Sequence, residues 1–219
     1  MRRPHSVDRP KIIGAVLLVV LVIAMGLSTR FVTPEELAAA GPQKFDAEKT
    51  AKSLFSKARE SFAADAAPLA EVVVALQKDP EQAATQFDAV KANATTYVFP
   101  VTAKGAVTEA TPASVQIKVD GVPPQTPVLV PLTTAINGTV LRDALGFKFA
   151  DAPGQSDFQF VGDELKKLMQ AEVRTGLGGQ PRPGAEVTVV GAISVTVTGA
   201  PQSEAKPVSI QPISVEKAS

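Results

Sequence analysis

One uninterrupted apolar segment, residues 12–29, constrains this chain more than any other feature. It reads IIGAVLLVVLVIAMGLST and contains no charged residue. A helix of about 18 residues, rising ~1.5 Å per residue, spans roughly 27 Å, which is close to the ~30 Å hydrocarbon core of a bilayer. The segment therefore predicts a transmembrane signal anchor.

The flank before this segment, residues 1–11, is basic. It carries Arg2, Arg3, Arg9 and Lys11, offset only by Asp8. Because the positively charged flank of a span stays in the cytoplasm, we expect residues 1–11 to form a cytoplasmic tail. The rest of a single-pass protein then lies outside the cytoplasmic membrane. The alternative is a secretory signal cleaved near Gly26, which also exports the bulk of the chain.

The residue inventory excludes several kinds of chemistry. The chain has no cysteine, and its one histidine, His5, lies in the predicted cytoplasmic tail. The exported part therefore lacks the groups for Ser-His-Asp or Cys-His catalysis and for zinc–thiolate sites. The formal net charge is zero, with 22 basic and 22 acidic residues, which argues against binding to nucleic acid. We expect no catalytic residue, no metal and no cofactor.

The first exported region is predicted to be helical. Residues 30–44 indicate a linker, and residues 45–93 a small helical layer. Apolar residues spaced by three and four predict a first helix, for which Asp46 is the expected N-cap because its carboxylate accepts amide protons of the first turn. Pro68 and the pair Asp79-Pro80 predict the starts of two further helices, the last of them running to about Ala92.

The pattern changes to that of strands from residue 95, and residues 95–217 predict a barrel domain. Three strands precede a long helix, capped by Ser156, and two strands follow it. This is the element order of an OB-fold, a five-stranded barrel with its helix between strands 3 and 4. The predicted fold class is thus α+β, and Gly105 is expected to mark a bulge. The predicted strands are 97–107, 115–119, 128–132, 187–197 and 208–215, and the helix is 157–174.

One block, residues 137–149, mixes glycines with polar side chains among apolar neighbours. In a functional interpretation Arg142 anchors a ligand, because its guanidinium is a fork of five donors. The predicted ligand-binding residues are then Asn137, Thr139, Arg142, Asp143 and Gln155. In the structural interpretation, which we prefer, Arg142 is buried and holds backbone carbonyls and an acidic partner such as Asp163 or Glu164.

The same block resembles a bacterial family, the predicted periplasmic lipoproteins (domain of unknown function number 2291). The similar residues are Gly138, Thr139, Arg142, Asp143, Ala144, Gly146, Phe147, Phe149, Gln155, Glu164 and Leu165. The resemblance implies an extracytoplasmic OB-like barrel with no assigned activity, often encoded beside sugar ABC transporters of the ribose type. The cysteine that carries the lipid in that family is missing here, so any anchor must be the apolar helix.

These observations together predict a non-enzymatic, membrane-anchored extracytoplasmic module that is accessory to a sugar ABC-type uptake system. Its expected partner is a transporter subunit, a sugar-binding protein or a saccharide. The first alternative is a cell-envelope scaffold with no small ligand. The second is a carboxylate-dependent hydrolase.

Overall fold

The computed structural model describes Leu18, Leu21 and Ala24, residues 45–197 and residues 206–218. The predicted cytoplasmic tail, the linker and nearly all of the predicted anchor lie outside these residues. Among the residues that are described, no helix is both long and apolar enough to span a membrane. The chain divides into two compact units, Met1–Lys44 and Phe45–Ser219. All elements named below belong to the second unit.

Three helices open this unit. Helix α1 is Ala47–Asp65, α2 is Leu69–Lys78 and α3 is Pro80–Gln86. The predicted cap of α1 is confirmed, because Asp46 Oδ1 accepts a hydrogen bond from the amide of Lys49 at 2.9 Å. Asp79 caps α3 in the same way, with its Oδ1 accepting from the amides of Glu81 and Gln82.

Two predicted helix boundaries in this region are wrong. Pro68 is not the first residue of α2 but stands before it, in a two-residue strand. Helix α3 ends at Gln86 instead of near Ala92, because Asp88 takes a positive φ of 48° and the chain then joins the sheet at Val90. The β-branched Val90 finds a pairing partner there, so tertiary contacts override the local helical pattern.

Eight strands form one sheet. The long third strand is central, because it pairs antiparallel with the strands on both of its sides. In chain order the strands are β1 Ala67–Pro68, β2 Val90–Lys91, β3 Thr96–Ala110, β4 Ser114–Val119, β5 Val128–Pro131, β6 Glu186–Thr196, β7 Val208–Ser209 and β8 Gln211–Lys217.

The last stretch of chain closes this sheet on itself. Strand β7 pairs parallel with β5, and β8, only one residue later, pairs antiparallel with β6. The residue between them, Ile210, donates its amide to the carbonyl of Leu129 at 2.9 Å. Pairings thus lead from β3 through β4 and β5 to β7, the chain continues through Ile210 into β8, and β8 pairs with β6, which pairs with β3. The sheet is curled as the OB-like element order predicted, with the long helix after the third barrel strand, β5.

Two helices lie between β5 and β6. Helix α4 is Gly138–Ala144, and helix α5 is Gln155–Leu177, with a 3₁₀ turn at Phe149–Asp151 between them. The block of residues 137–149 therefore contains a short helix. The predicted cap of α5 is wrong: Gly154 stands at the cap, and Ser156 lies inside the first turn. The helix ends as glycine predicts, with Gly178 left-handed at φ +60°.

Helices and sheet share one hydrophobic core. Buried residues of α1, such as Phe55 and Phe62, belong to the same cluster as Phe99 of the sheet and Leu165 of α5. Fully burying one such side chain contributes about 1.5–3 kcal/mol. Strands β1 and β2 also pair with β3 from within the region predicted as a separate helical layer. Residues 45–93 and 95–217 thus form a single compact unit.

The predicted bulge at Gly105 is wrong. Gly105 keeps regular pairing with Val119 and with Val187, and the register shift lies between Val107 and Glu109. A Cβ atom at position 105 would instead collide with the backbone carbonyl of Lys118. The glycine is there because two strands approach too closely for any side chain.

Candidate functional site

Arg142 lies near the end of α4 and is 7% exposed. Its Nε and Nη2 donate to Asp143 Oδ1 at 2.9 and 2.8 Å, and its Nη1 donates to the carbonyl of Phe158 at 3.3 Å. The guanidinium carbon lies 3.6 Å from the centroid of the Phe158 ring. Donors and one face of this cation are thus engaged inside the protein, as the structural interpretation expects.

The acidic partner of Arg142 differs from the two that were predicted. Asp143, the next residue in the chain, takes that role instead of Asp163 or Glu164. Glu164 pairs with Lys167, whose Nζ lies 2.6 Å from Glu164 Oε1, and this hydrogen bond raises the pKa of Lys167. That pair stands on the exposed side of α5 and has no part in the block.

Asn137 and Thr139 form the start of α4. Asn137 is its N-cap, and its Oδ1 accepts from the amide of Thr139 at 3.1 Å and from the hydroxyl of Thr139 at 2.7 Å. The backbone amide of Asn137 donates to Oε1 of Gln211 at 2.7 Å. The two predicted polar residues therefore bind each other, and Gln211 of β8 fixes the entry to the helix.

The fifth predicted residue stands apart. Gln155 is the first residue of α5 and is exposed. Its side chain makes no hydrogen bond to the other four predicted residues in the described part of the chain. The structure thus brings together two pairs on α4, Asn137 with Thr139 and Arg142 with Asp143, and leaves Gln155 outside them.

Two glycines set the contact between α4 and α5. A Cβ atom at Gly138 would collide with the carbonyl of Gly162 and would stand 2.6 Å from the amide of Lys166. A Cβ atom at Gly162 would lie 3.2 Å from Cγ2 of Thr139. The backbones of the two helices therefore meet directly, which only small residues allow. This contact explains the Gly-Thr pair that opens the block.

Three phenylalanines complete the block. The Phe147 ring stacks on Phe158 with centroids 6.0 Å apart, and the half-exposed Phe149 meets Phe158 edge-on at 5.7 Å. Each such pair contributes about 0.5–1.5 kcal/mol beyond its buried area. Since Phe158 also covers Arg142, the rings and the guanidinium form one packed unit between α4 and α5.

A cleft of about 620 Å³ lies beside this block, between α2, β6 and β7. Ligand sites commonly have volumes of 300–1,000 Å³. Neutral hydrogen-bonding side chains and aliphatic side chains line it, and Lys206 is the one charged residue in the described lining. The neutral polar residues are Gln77, Gln125, Thr126, Ser194, Thr196, Ser209 and Gln211.

The cleft exists because two strands diverge. The pairing of β6 with β8 ends at Ala192 and Gln211, whereas β6 itself continues to Thr196 along β3. The residues just before Gln211, Val208 and Ser209 of β7, pair with β5 instead. Gly191 lies where β6 and β8 still pair, and a Cβ atom there would collide with the carbonyl of Gln211. We define the space between residues 193–196 and residues 206–209 as the fork cleft.

Sequence reasoning missed this cleft. Its walls come from α2, the loop before β5, α4, β6 and the last strand, which are far apart in the chain. Val140 of α4 lines it, and Gln211 lines it while holding Asn137. The predicted residues of the block therefore stand behind one wall of the cleft instead of inside it. The polar side chains of the α4 block were the only feature of the sequence that pointed to this part of the protein.

The described part of the chain holds no group of three or more acidic or histidine side chains close enough to bind a metal ion. Among the described residues that line the fork cleft, none carries a carboxylate. These residues offer hydrogen-bonding groups, aliphatic surface and the ammonium group of Lys206.

Replacing Asn137 with alanine is expected to lower the free energy of unfolding by about 1 kcal/mol, because the first turn of α4 loses its cap. Urea denaturation measures this loss. Asn137→Asp is the matched control, since a carboxylate also accepts from the amide of Thr139 and favours a helix N-terminus. Equal losses in both variants would show that capping is not the role of Asn137.

Comparison with known proteins agrees with this architecture. The family described as predicted periplasmic lipoprotein (DUF2291) matches residues 17–216. A crystal structure of an OB-fold protein from Thermotoga maritima is similar to the chain with a TM-score of 0.66 at 19% identity, covering 80% of this chain and 100% of the other. Among curated proteins, none matches significantly. At that identity the structural likeness shows the fold alone.

Proposed function

The chain belongs to the family of predicted periplasmic lipoproteins, whose function is unknown, and we propose that it is a non-enzymatic recognition module of a sugar uptake system. Membership of this family indicates an extracytoplasmic location. In the proposed function, the curled sheet presents a binding site outside the membrane, and the bound group is a saccharide or a component of the transporter.

The chemistry of the fork cleft is the observation that carries this proposal. Amide and hydroxyl groups such as those of Gln125 and Ser209 both donate and accept hydrogen bonds, as sugar hydroxyls do. Partly exposed aliphatic side chains such as Leu76 and Val195 provide contact for C–H groups. In the proposed function this lining recognises a solute by hydrogen bonds and apolar contact.

We also propose that residues 12–29 tether the module as a single-pass helix with the N-terminus in the cytoplasm. The support is the uncharged apolar run behind a basic flank, together with the lack of a cysteine to carry a lipid. Fractionation of cells tests this tether. We expect the full chain in carbonate-washed membranes, and its release as a shortened soluble chain would contradict the anchor.

Binding of a saccharide predicts thermal stabilisation, because a ligand that binds only the folded chain raises its stability. A panel of pentoses and hexoses at about 100 times the dissociation constant is expected to add ~2.7 kcal/mol, or roughly 5–10 °C in melting temperature. Differential scanning fluorimetry measures this shift. If none of the sugars raises the melting temperature, the saccharide part of the proposal is contradicted.

The transporter part of the proposal has its own test. Affinity capture of the tagged chain from native membranes is expected to recover a transporter subunit or a sugar-binding protein. Recovery of envelope proteins alone, together with no sugar-induced shift, would favour the second candidate, a cell-envelope scaffold. One observation favours that candidate: the polar residues of α4 bind each other and the neighbouring elements.

We do not propose the carboxylate-dependent hydrolase. The carboxylate of Asp143 is engaged by two donors of Arg142, and the described lining of the fork cleft has no acidic side chain. A glycosidase needs a pair of facing carboxyl groups.

A further inference from the structure

We propose that the ligand of the fork cleft is a small uncharged solute rich in hydrogen-bonding groups, and that it is held by the hydroxyl of Thr126. This deepens the recognition function proposed above and rests on it.

The first observation behind this proposal is the buried hydroxyl of Thr126. Thr126 is 7% exposed, and its Oγ1 is buried without a hydrogen-bond partner in the described structure. Its backbone is fixed, because its amide donates to the carbonyl of Pro123 at 2.9 Å. A buried hydroxyl without a partner destabilises a protein, so such a group calls for an explanation. Thr126 lines the fork cleft, but its Oγ1 itself has almost no accessible surface, so the side chain must rotate about the Cα–Cβ bond for the hydroxyl to reach a bound solute, which then supplies the missing partner.

The second observation is that β6 has an open edge, which leaves backbone hydrogen-bonding groups facing the cleft. The amide of Val197 donates to Thr95 of the chain before β3, so odd-numbered residues at this end of β6 face β3. Ser194, two positions from the last residue of β6, therefore turns its amide and carbonyl toward the cleft, beyond the point where β8 pairs. Ser194 is exposed. The fork thus presents backbone and side-chain hydrogen-bonding groups to a single space.

The third observation is the charge of the lining, which defines the ligand class. No carboxylate among the described lining residues faces the cleft to hold a cation, and the one basic residue, Lys206, is exposed. The amides of Gln77 and Gln125 each supply a donor and an acceptor. Neutral sites of this kind favour uncharged solutes that also donate and accept hydrogen bonds, such as polyols, sugars or uncharged amides.

Thr126→Val tests the inference by two measurements, the melting temperature of the free protein and its affinity for the solute. A purely structural role of the hydroxyl would not keep the first unchanged while lowering the second. Valine has nearly the same shape but lacks the hydroxyl. In the unliganded protein we expect the melting temperature to stay the same or to rise by about 2–4 °C, because an unpaired buried group is removed. With ligand, we expect affinity to fall about tenfold or more, as loss of a buried hydrogen bond predicts.

The probes are D-ribose, D-glucose, myo-inositol and N-acetylalaninamide, each compared with a charged counterpart, ribose 5-phosphate or glucuronate, in thermal-shift titrations. Thr175→Val is the matched control, since its hydroxyl donates to Ala171 within α5 and does not line the cleft. Ser194→Trp, at an exposed position, fills the fork and is expected to abolish the shift without loss of folding.

The outcomes separate this inference from the proposed function. If the amide or the polyol binds and the sugars do not, the saccharide proposal fails and the fork cleft remains the site. If a solute binds equally well to wild type, Thr126→Val and Ser194→Trp, the fork cleft is not its site. Binding of the charged probes alone, or of no probe, overturns the inferred ligand class.

Discussion

Gly138→Ala is expected to lower the free energy of unfolding by about 3 kcal/mol, the upper end of the typical range for overpacking in a tight contact. The new methyl group would collide with the carbonyl of Gly162 and press on the amide of Lys166. Both are backbone atoms of α5, so no side-chain rotation relieves the clash. Helix α4 must move away from α5, and this also disturbs the ion pair at its other end. Urea denaturation of the purified chain measures the loss.

Gly154→Ala is the matched control for this prediction. Gly154 lies in the same region, just before α5, but a Cβ atom there would meet nothing closer than Asp157 Oδ2 at 3.9 Å. Its φ of −168° is open to any residue. Because alanine caps a helix less well than glycine, we expect a loss of no more than about 1 kcal/mol. A loss of similar size at both positions would mean that the contact between α4 and α5 is not what requires glycine.

Arg142→Ala is expected to cost about 3 kcal/mol, near the lower end of the range for breaking a buried ion pair. The lower end applies because the Asp143 side chain remains 30% exposed and is hydrated when its partner is lost. The carbonyl of Phe158 also loses a donor, and its ring loses the cation that packs on it. Thermal and urea unfolding measure this loss.

A double-mutant cycle with Asp143→Ala apportions the loss. We expect a coupling energy of about 1–2 kcal/mol between the two residues. Arg142→Lys keeps the charge but not the fork that reaches both Asp143 and Phe158, so it should recover only part of the stability. The structural interpretation is wrong if Arg142→Ala leaves stability unchanged and instead abolishes solute binding.

The long elements could be predicted from sequence because their patterns are local. The apolar spacing of α1 and α5 and the alternation in β4 each extend over several turns or residues, so the predicted elements appear in the structure. The OB-like order followed from them. The boundary of α3 could not be predicted, since Val90 leaves the helical pattern only because β3 offers it a partner.

The candidate site shows the opposite case. Arg142 could be predicted as buried and paired, because an arginine among apolar residues needs acceptors. Its partner could not, because the pairing of Asp143 with the residue before it depends on the side-chain conformations that the two residues adopt in α4. The fork cleft left no local signal. It depends on where β8 stops pairing with β6 and on the pairing of the preceding strand, β7, with β5.

The central claim is that the α4 block supports the fold while the fork cleft binds the solute. Two-dimensional ¹⁵N NMR during titration with D-ribose, myo-inositol or N-acetylalaninamide tests it most directly, because backbone amides and the Nε–H of Arg142 are observed together. The account predicts that the largest shifts fall on Thr126, Ser194 and Val140, with the Nε–H of Arg142 nearly unmoved. Large shifts at Arg142 and Asp143 with an unchanged fork cleft would contradict it.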